Sequence, residues 1–327
     1  MSSRTNSKIG IMFRREHAPE ALPDFARKVE EVGFDELWVV EDCFYASGIA
    51  SAAAALACTR SMTIGLGIMP AVVRNPVFAA MEISTLARLY PGRFLPGLGH
   101  GVSEWMHQIG AFPKSQLRAL EEVTVTIRAL LAGEQVTFIG QHVQLDHAKL
   151  VHPPDQAPPV LLGVIGPKSL ALSGRVAEGT ILSEYSNPAY VAWAKEQIAG
   201  AIGNDQRSDE HRLTIFAFAC AASTKAEACQ RLRPMVAEAI ASGGIDAKLA
   251  PMGILPQARE YREKGGQKYL ENQMPDAWIE QLTIAGTPQD WQLAINQFIE
   301  LGAHSIILVP MPDAGVGEVE KFAKHLK

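Results

Sequence analysis

Short apolar runs rich in β-branched residues alternate with longer amphipathic stretches along the whole chain, the pattern of parallel strands buried on both faces beneath helices. Eight runs read as strands: Ile9–Phe13, Leu37–Val40, Thr63–Ile68, Arg93–Gly97, Val160–Val164, Thr180–Ser183, Leu213–Ala219 and Ser305–Val309. Between the first two, Leu22, Phe25, Val29 and Val32 recur at helical spacing, and Gly33 then supplies a left-handed residue to end the helix. Comparable units end at Gly179 and Gly302, so VGFDELWVV, AEGTILSE and LGAHSIILV mark one repeating βα unit. Eight such units predict an α/β fold, a single (β/α)8 TIM barrel, because a doubly wound open sheet usually has fewer strands and needs a switch point. Two interruptions read as loop insertions: one near 133–150, where VTFIGQHVQL looks like a hairpin around Gly140, and one near 245–275. No low-complexity linker divides the chain, so 1–327 is read as one domain.

Composition changes this picture little. With 47% hydrophobic and 20% charged residues the chain has ample material for a core. A net charge of −5, with no block of like charges, argues against nucleic acid and against an anionic membrane surface. The polar start, Met1 to Lys8, lacks the apolar segment of a secretory signal, and the Ala-rich stretch from Ala50 to Ala57 is too short to span a bilayer. A cytoplasmic protein is expected. Cys43, Cys58, Cys220 and Cys229 form no paired motif, so reduced, mostly packed thiols are expected. His142, His147 and His152 lie five apart, which puts adjacent members on opposite faces of a hairpin, and no metal is expected.

In such a barrel the chemistry belongs to the loops that follow the strands. After the second strand come Glu41 and Asp42, either a ligand-facing pair or a solvated loop that caps a helix. The third strand runs through Gly65 and Gly67, and glycine inside a strand marks a bulge or a place where something approaches the backbone closely. The fourth leads into Gly97-Leu98-Gly99-His100-Gly101 and then Ser103 and Glu104. Val102 and Glu104 occupy the third-glycine positions in the two possible registers, so no dinucleotide fingerprint is present. His100 reads as a proton donor or a plain loop residue. The fifth ends in Val164-Ile165-Gly166-Pro167-Lys168-Ser169, a Gly-Pro turn whose free amides, charge and hydroxyl would receive a phosphate, or an ordinary helix start. The sixth ends in Ser183-Glu184-Tyr185, polar groups suited to a ligand tail or a cap. Pro310-Met311-Pro312-Asp313 after the eighth would seal the barrel mouth, and Phe13, Arg14 and Trp105 are candidates to line a substrate pocket.

Together, GFDELWVVED, GLGIMPAVVRNP, MEISTLARLYPGRFLPGLGHGVSEW and LLGVIGPKSLALSGRVAEG resemble the luciferase-like superfamily, from Ile9 through nearly the whole chain. The phrases are most similar to its branch dependent on the deazaflavin coenzyme F-420. That resemblance implies a non-prolyl cis peptide at Gly67–Ile68, a bulge for the back of the ring. It further implies that Leu98, Gly99 and Ser103 lie beside the ring and its ribityl chain. Val164, Ile165, Gly166 and Pro167 would hold the phosphate through their backbone, with Lys168 adding charge and Glu184 a polar contact. Asp42 would stand near the ring's pyrimidine edge. Members that oxidise alcohols place a histidine directly after that acid; this chain has Cys43, which argues against that route. The implied enzyme is an F-420-dependent oxidoreductase moving hydride to a small organic substrate, with reduction of a C=C or C=N bond favoured. Asp42, Glu41, Glu104 and His100 are its candidate proton-handling groups. An FMN-dependent monooxygenase on the same barrel is the alternative, and a non-catalytic flavin-binding protein an alternative of another class. Relatives commonly pair as homodimers.

Overall fold

The computed structural model describes residues 7–202, 211–312, 314–315 and 317–326; Asp313 and the first six residues of the polar start lie outside them. In chain order the elements are β1 (Lys8–Met12), α1 (Leu22–Val32), β2 (Glu36–Val39), α2 (Gly48–Cys58), β3 (Thr63–Pro70), α3 (Pro76–Leu89), β4 (Phe94–Gly99), α4 (Ser103–Gln108) and α5 (Gln116–Leu131). The hairpin β5 (Val136–Ile139) and β6 (Gln144–Ala148) follows, then β7 (Leu161–Gly163), α6 (Pro167–Val176), β8 (Gly179–Leu182) and α7 (Pro188–Ile202). The chain continues through β9 (Arg212–Ala221), α8 (Lys225–Ser242), α9 (Asp246–Leu249), α10 (Leu255–Gln273) and α11 (Asp276–Leu282). It ends with β10 (Ile284–Gly286), α12 (Pro288–Glu300), β11 (Ser305–Val309) and α13 (Gly317–His325). All eight expected strands are present, as β1, β2, β3, β4, β7, β8, β9 and β11, and the fold is the α/β (β/α)8 TIM barrel expected from the sequence.

Two compact units make up the chain. The unit of Met12–Ile181 and Gln197–Arg212 carries β2, β3, β4 and β7 as parallel neighbours, with Val39 opposite Leu66, Leu66 opposite Pro96, and Leu98 opposite Leu162. Its core holds Trp38, Leu56, Ile64, Leu66 and Phe94. The other unit (residues up to Ile11, Leu182–Glu196, and Leu213 onward) pairs β10 with β9, β9 with β11, and β11 with β1, all parallel. Its core holds Ile215, Trp291, Ile306, Leu308 and Phe322. Strands buried on both sides explain why these runs are continuously apolar and β-branched.

Helix α1 shows how the local pattern works. Leu22, Phe25, Ala26 and Val29 are buried on one face, each large side chain contributing about 1.5–3 kcal/mol. Gly33 closes the helix at φ 96°. The expected equivalent at Gly179 is not a cap: α6 ends at Val176 on an extended Ala177, and Gly179 is the first residue of β8. Glycine is required there because a Cβ would lie 2.5 Å from the Arg212 carbonyl. The insertion near 133–150 is the antiparallel hairpin β5–β6. The one near 245–275 is helical, with α10 broken where Gly265 and Gly266 leave helical geometry. Strand β10 has only three residues, too few to produce a readable alternation.

Candidate functional site

The carboxyl ends of β2, β3, β4 and β7 lie side by side in one unit, and most of the expected site residues sit on them. The Gly67–Ile68 peptide is cis, as the resemblance implied, and so is Cys43–Phe44. The β3–β4 register slips between Leu66 and Met69, which is the bulge. Ile68, half-buried, turns its side chain over the two following strands: a Cβ on Gly99 would meet its Cδ1 at 2.9 Å, and one on Gly163 its Cγ2 at 2.5 Å. The glycines of β4 and β7 are therefore the space that Ile68 fills. Gly65 is likewise a place of close approach. A Cβ there would lie 2.2 Å from the Trp38 indole, so this glycine accommodates a core side chain.

Asp42 follows β2 and accepts a hydrogen bond from Arg15 Nη1 at 2.7 Å. Arg15 lies 5.2 Å from the Tyr45 ring and 5.5 Å from that of Trp105, so one guanidinium ties together the loops after β1 and β2 and helix α4. Burial works against its charge, but the bond and field of Asp42, with Glu16, raise its pKa above the ordinary arginine value. Arg14, named from sequence as a pocket residue, bonds Glu16, and Phe13 is buried against Phe25 at 5.2 Å. Arg15 was missed because two adjacent arginines give no sign of which one faces the site.

Glu41 is occupied. It receives a two-pronged ion pair from Arg74, one arm at 2.8 Å, and the Gly48 amide at 2.9 Å. Arg74 in turn helps line a separate cavity of about 270 Å³, between the β3–α3 loop and the β5–β6 hairpin. Leu98 and Gly99 are buried; Ser103 and Glu104 are exposed at the start of α4, where Ser103 accepts from Gln116 Nε2 at 3.2 Å.

The turn after β7 opens α6 as expected. Gly166 is the N-cap with Pro167 behind it, no side chain caps the first turn, and nothing lies within 4 Å of a Cβ placed on Gly166. Val164 is buried, whereas Ile165, Pro167 and Lys168 are exposed. Amides at a helix start without a side-chain partner, beside an exposed ammonium, form a ready receptor for an anion. His100 reaches across to this turn, its Nε2 lying 2.9 Å from Ser169 Oγ. Burial lowers the His100 pKa from its ordinary value.

Glu184 belongs to the other unit. The turn that carries it is held by Lys248, 2% exposed, which donates to Ser183 O at 3.1 Å, to Ser183 Oγ at 2.7 Å and to Glu184 O. Burial pushes the Lys248 pKa down to about 8, with the negative charge of Glu184 acting in the opposite sense. Nothing in the sequence marked Lys248, an isolated lysine in a segment without a motif. All four cysteines are free; among the described residues no group of three or more His, Cys, Asp or Glu is placed to hold a metal, and no helix is long and apolar enough to cross a membrane.

The model of the family described as luciferase-like monooxygenase matches residues 4–305. The 5,10-methylenetetrahydromethanopterin reductase of Methanolobus tindarius is 28% identical over 307 residues, 91% of this chain and 92% of that protein. The F-420-dependent glucose-6-phosphate dehydrogenase of Nakamurella multipartita is 31% identical over 183 residues, 52% of this chain and 54% of its own length. Among solved structures, the coenzyme F-420 dependent tetrahydromethanopterin reductase of Methanopyrus kandleri superposes with a TM-score of 0.81 at 20% identity, covering 98% of both chains.

Proposed function

The chain belongs to the luciferase-like monooxygenase family, and on that premise we propose that it is an F-420-dependent oxidoreductase that reduces a C=C or C=N bond of a small organic substrate. The observation that carries this reading is the joint occurrence of the Ile68 bulge, seated on Gly99 and Gly163, and the uncapped start of α6 only three residues beyond Gly163. The two features suit a flat ring and the phosphate that follows its ribityl chain. Full-length similarity to a methylenetetrahydromethanopterin reductase, and partial similarity to an F-420-dependent dehydrogenase, support the deazaflavin over FMN.

The residues present fit the coenzyme. The Ile68 bulge, Leu98 and Gly99 would back the ring, Ser103 would meet the ribityl chain, and Val164 to Lys168 would hold the phosphate. Bound there in its reduced form, the coenzyme would supply the hydride. The protein's part is to place the acceptor face to face with it and to manage one proton. Asp42 Oδ1 has no partner among the described residues, so a carboxylate already held by Arg15 offers its second oxygen to a ligand N–H. Trp105 lies against the same guanidinium. Glu41, spent on Arg74, is a support for the loop; the proton is assigned to Asp42 or to the exposed Glu104.

The same reading takes the chain as one domain acting as a cytoplasmic homodimer on a small molecule. Exposed Phe78, Met81 and Leu89 on α3, with Val151 nearby in the lining of a groove shared with that helix, support a self-association face.

The test is direct titration with oxidised F-420, read by quenching of its fluorescence. A micromolar or tighter dissociation constant is expected. No quenching, or a preference for FMN with oxygen consumption, overturns the reading.

A further inference from the structure

His100 is the first residue past β4, and its side chain crosses to a helix 69 positions later to meet Ser169. Ser169 is the third residue of α6, where a hydroxyl ordinarily has only solvent or its own backbone to bond. Its oxygen is instead 2.9 Å from His100 Nε2. The other ring nitrogen, Nδ1, is buried and has no hydrogen-bond partner of ordinary geometry. The backbone of Gln116 is near enough to favour the protonated ring.

These facts limit what the pair can do. If Nε2 accepts the serine proton, Nδ1–H points towards the Gln116 backbone without a hydrogen bond of ordinary geometry. If Nε2–H donates, the serine hydrogen is released to point outward, and Nδ1 is left as a bare lone pair. A proton taken up at Nδ1 relieves that lone pair towards Gln116 and keeps Nε2–H aimed at Ser169 Oγ.

We propose that His100 is a positioning residue for the anionic tail of the ligand. Through Nε2 it orients the Ser169 hydroxyl to donate to a phosphate at the start of α6, and binding of that phosphate draws a proton from solvent onto Nδ1. This rests on the reading that a phosphate-bearing ring ligand occupies the site. In the protein alone burial disfavours the charged ring, whereas an anion beside Ser169 favours it, so anion affinity and His100 protonation rise together. Of the charged side chains on the elements around it, Lys168 on α6, Glu104 on α4 and Arg118 on α5 are all exposed. None of them pairs with His100. The Lys168 charge draws the same anion but does not titrate in this range.

The experiment compares F-420, whose phosphodiester keeps one charge throughout, with its ring–ribityl fragment lacking the phosphate, which shares any titration of the ring. Between about pH 8 and pH 6 the wild-type affinity for F-420 should rise severalfold relative to that for the fragment, the part of about one pK unit of coupling that this window contains. His100→Gln and Ser169→Ala should each abolish that difference with the thermal midpoint preserved. On ligand-free protein, inorganic sulfate should raise the apparent pKa of the His100 ring signal in NMR, and Ser169→Ala should reduce that shift. An equal pH dependence for both ligands, its persistence in His100→Gln, or a His100 titration blind to sulfate overturns the proposal. If neither deazaflavin binds while sulfate still shifts His100, the ring assignment falls and the anion clamp stands.

Discussion

The strand ends after β4 and β7 and the turn after β8 all present polar groups, but they are held in opposite ways. The first pair interlocks with its immediate neighbours: Ile68 of β3 fills the space left by Gly99 and Gly163, and His100 meets Ser169. In the turn after β8, Tyr185 lies against Phe218 of β9, but the polar groups are held from a distance. Ser183 and Glu184 are gripped by one ammonium, Lys248, that arrives 65 residues later from the 245–275 insertion. Shape complementarity needs only the absence of side chains at the right places and keeps no charge out of water. A buried cation needs every N–H satisfied and keeps the cost of its desolvation, which makes the second turn the more conditional of the two.

That difference is exposed most sharply by filling the glycine space. Gly163→Val should force Ile68 out of its seat, cost about 3 kcal/mol by overpacking, and remove F-420 binding. Urea unfolding and fluorescence titration measure both, and an unchanged midpoint with intact binding would show that the interlock does not hold the bulge. The Lys248 latch should answer to pH instead. Its folded pKa, about 8, lies below the ordinary 10.5, so the unfolded chain holds the proton more tightly. Stability should therefore rise as pH increases through that window, by an amount on the order of 3 kcal/mol, and the full cost of the buried charge should remain below it. Lys248→Met should lack this rise, which urea midpoints at the two ends of the window in both proteins would reveal.

A smaller effect is expected at Asp42. Arg15→Met removes its partner from a half-exposed position and should weaken F-420 or acceptor binding about tenfold, with less than about 0.5 kcal/mol lost in stability. A titration and a melt on the same sample separate the two. The smallest effect belongs to Ser103→Ala. It deletes one exposed bond to Gln116 and should move stability by no more than about 0.5 kcal/mol, leaving any loss of F-420 affinity to be read as a ribityl contact.

Much of the first region is legible in the sequence. Gly99, Gly163 and the Gly166-Pro167 turn stand in the sequence at strand ends, and a missing side chain is a local signal that backbone or ligand must come close. What approaches Gly65, and that Gly179 begins a strand rather than ending a helix, were not legible for the same reason. A glycine reports close approach but not what approaches, and only the fold supplied the Trp38 indole and the Arg212 carbonyl. Arg15, Arg74 and Lys248 gave no local signal at all. A lysine or arginine on the surface and one that closes a site have the same sequence neighbours, and the partner sits tens of residues away.

Hydrophobic periodicity was enough to determine the barrel, and the third-strand glycines marked a bulge or a close approach that the family resemblance placed at Gly67–Ile68, because burial and close approach act on each segment through its own residues. Which acid is already paired, which glycine yields to a core indole, and which lysine leaves water to hold a turn were decided by the tertiary structure alone. Those outcomes depend on charges and shapes that meet across the chain, and an ion pair or a desolvated ammonium exists only when folding has brought both partners together.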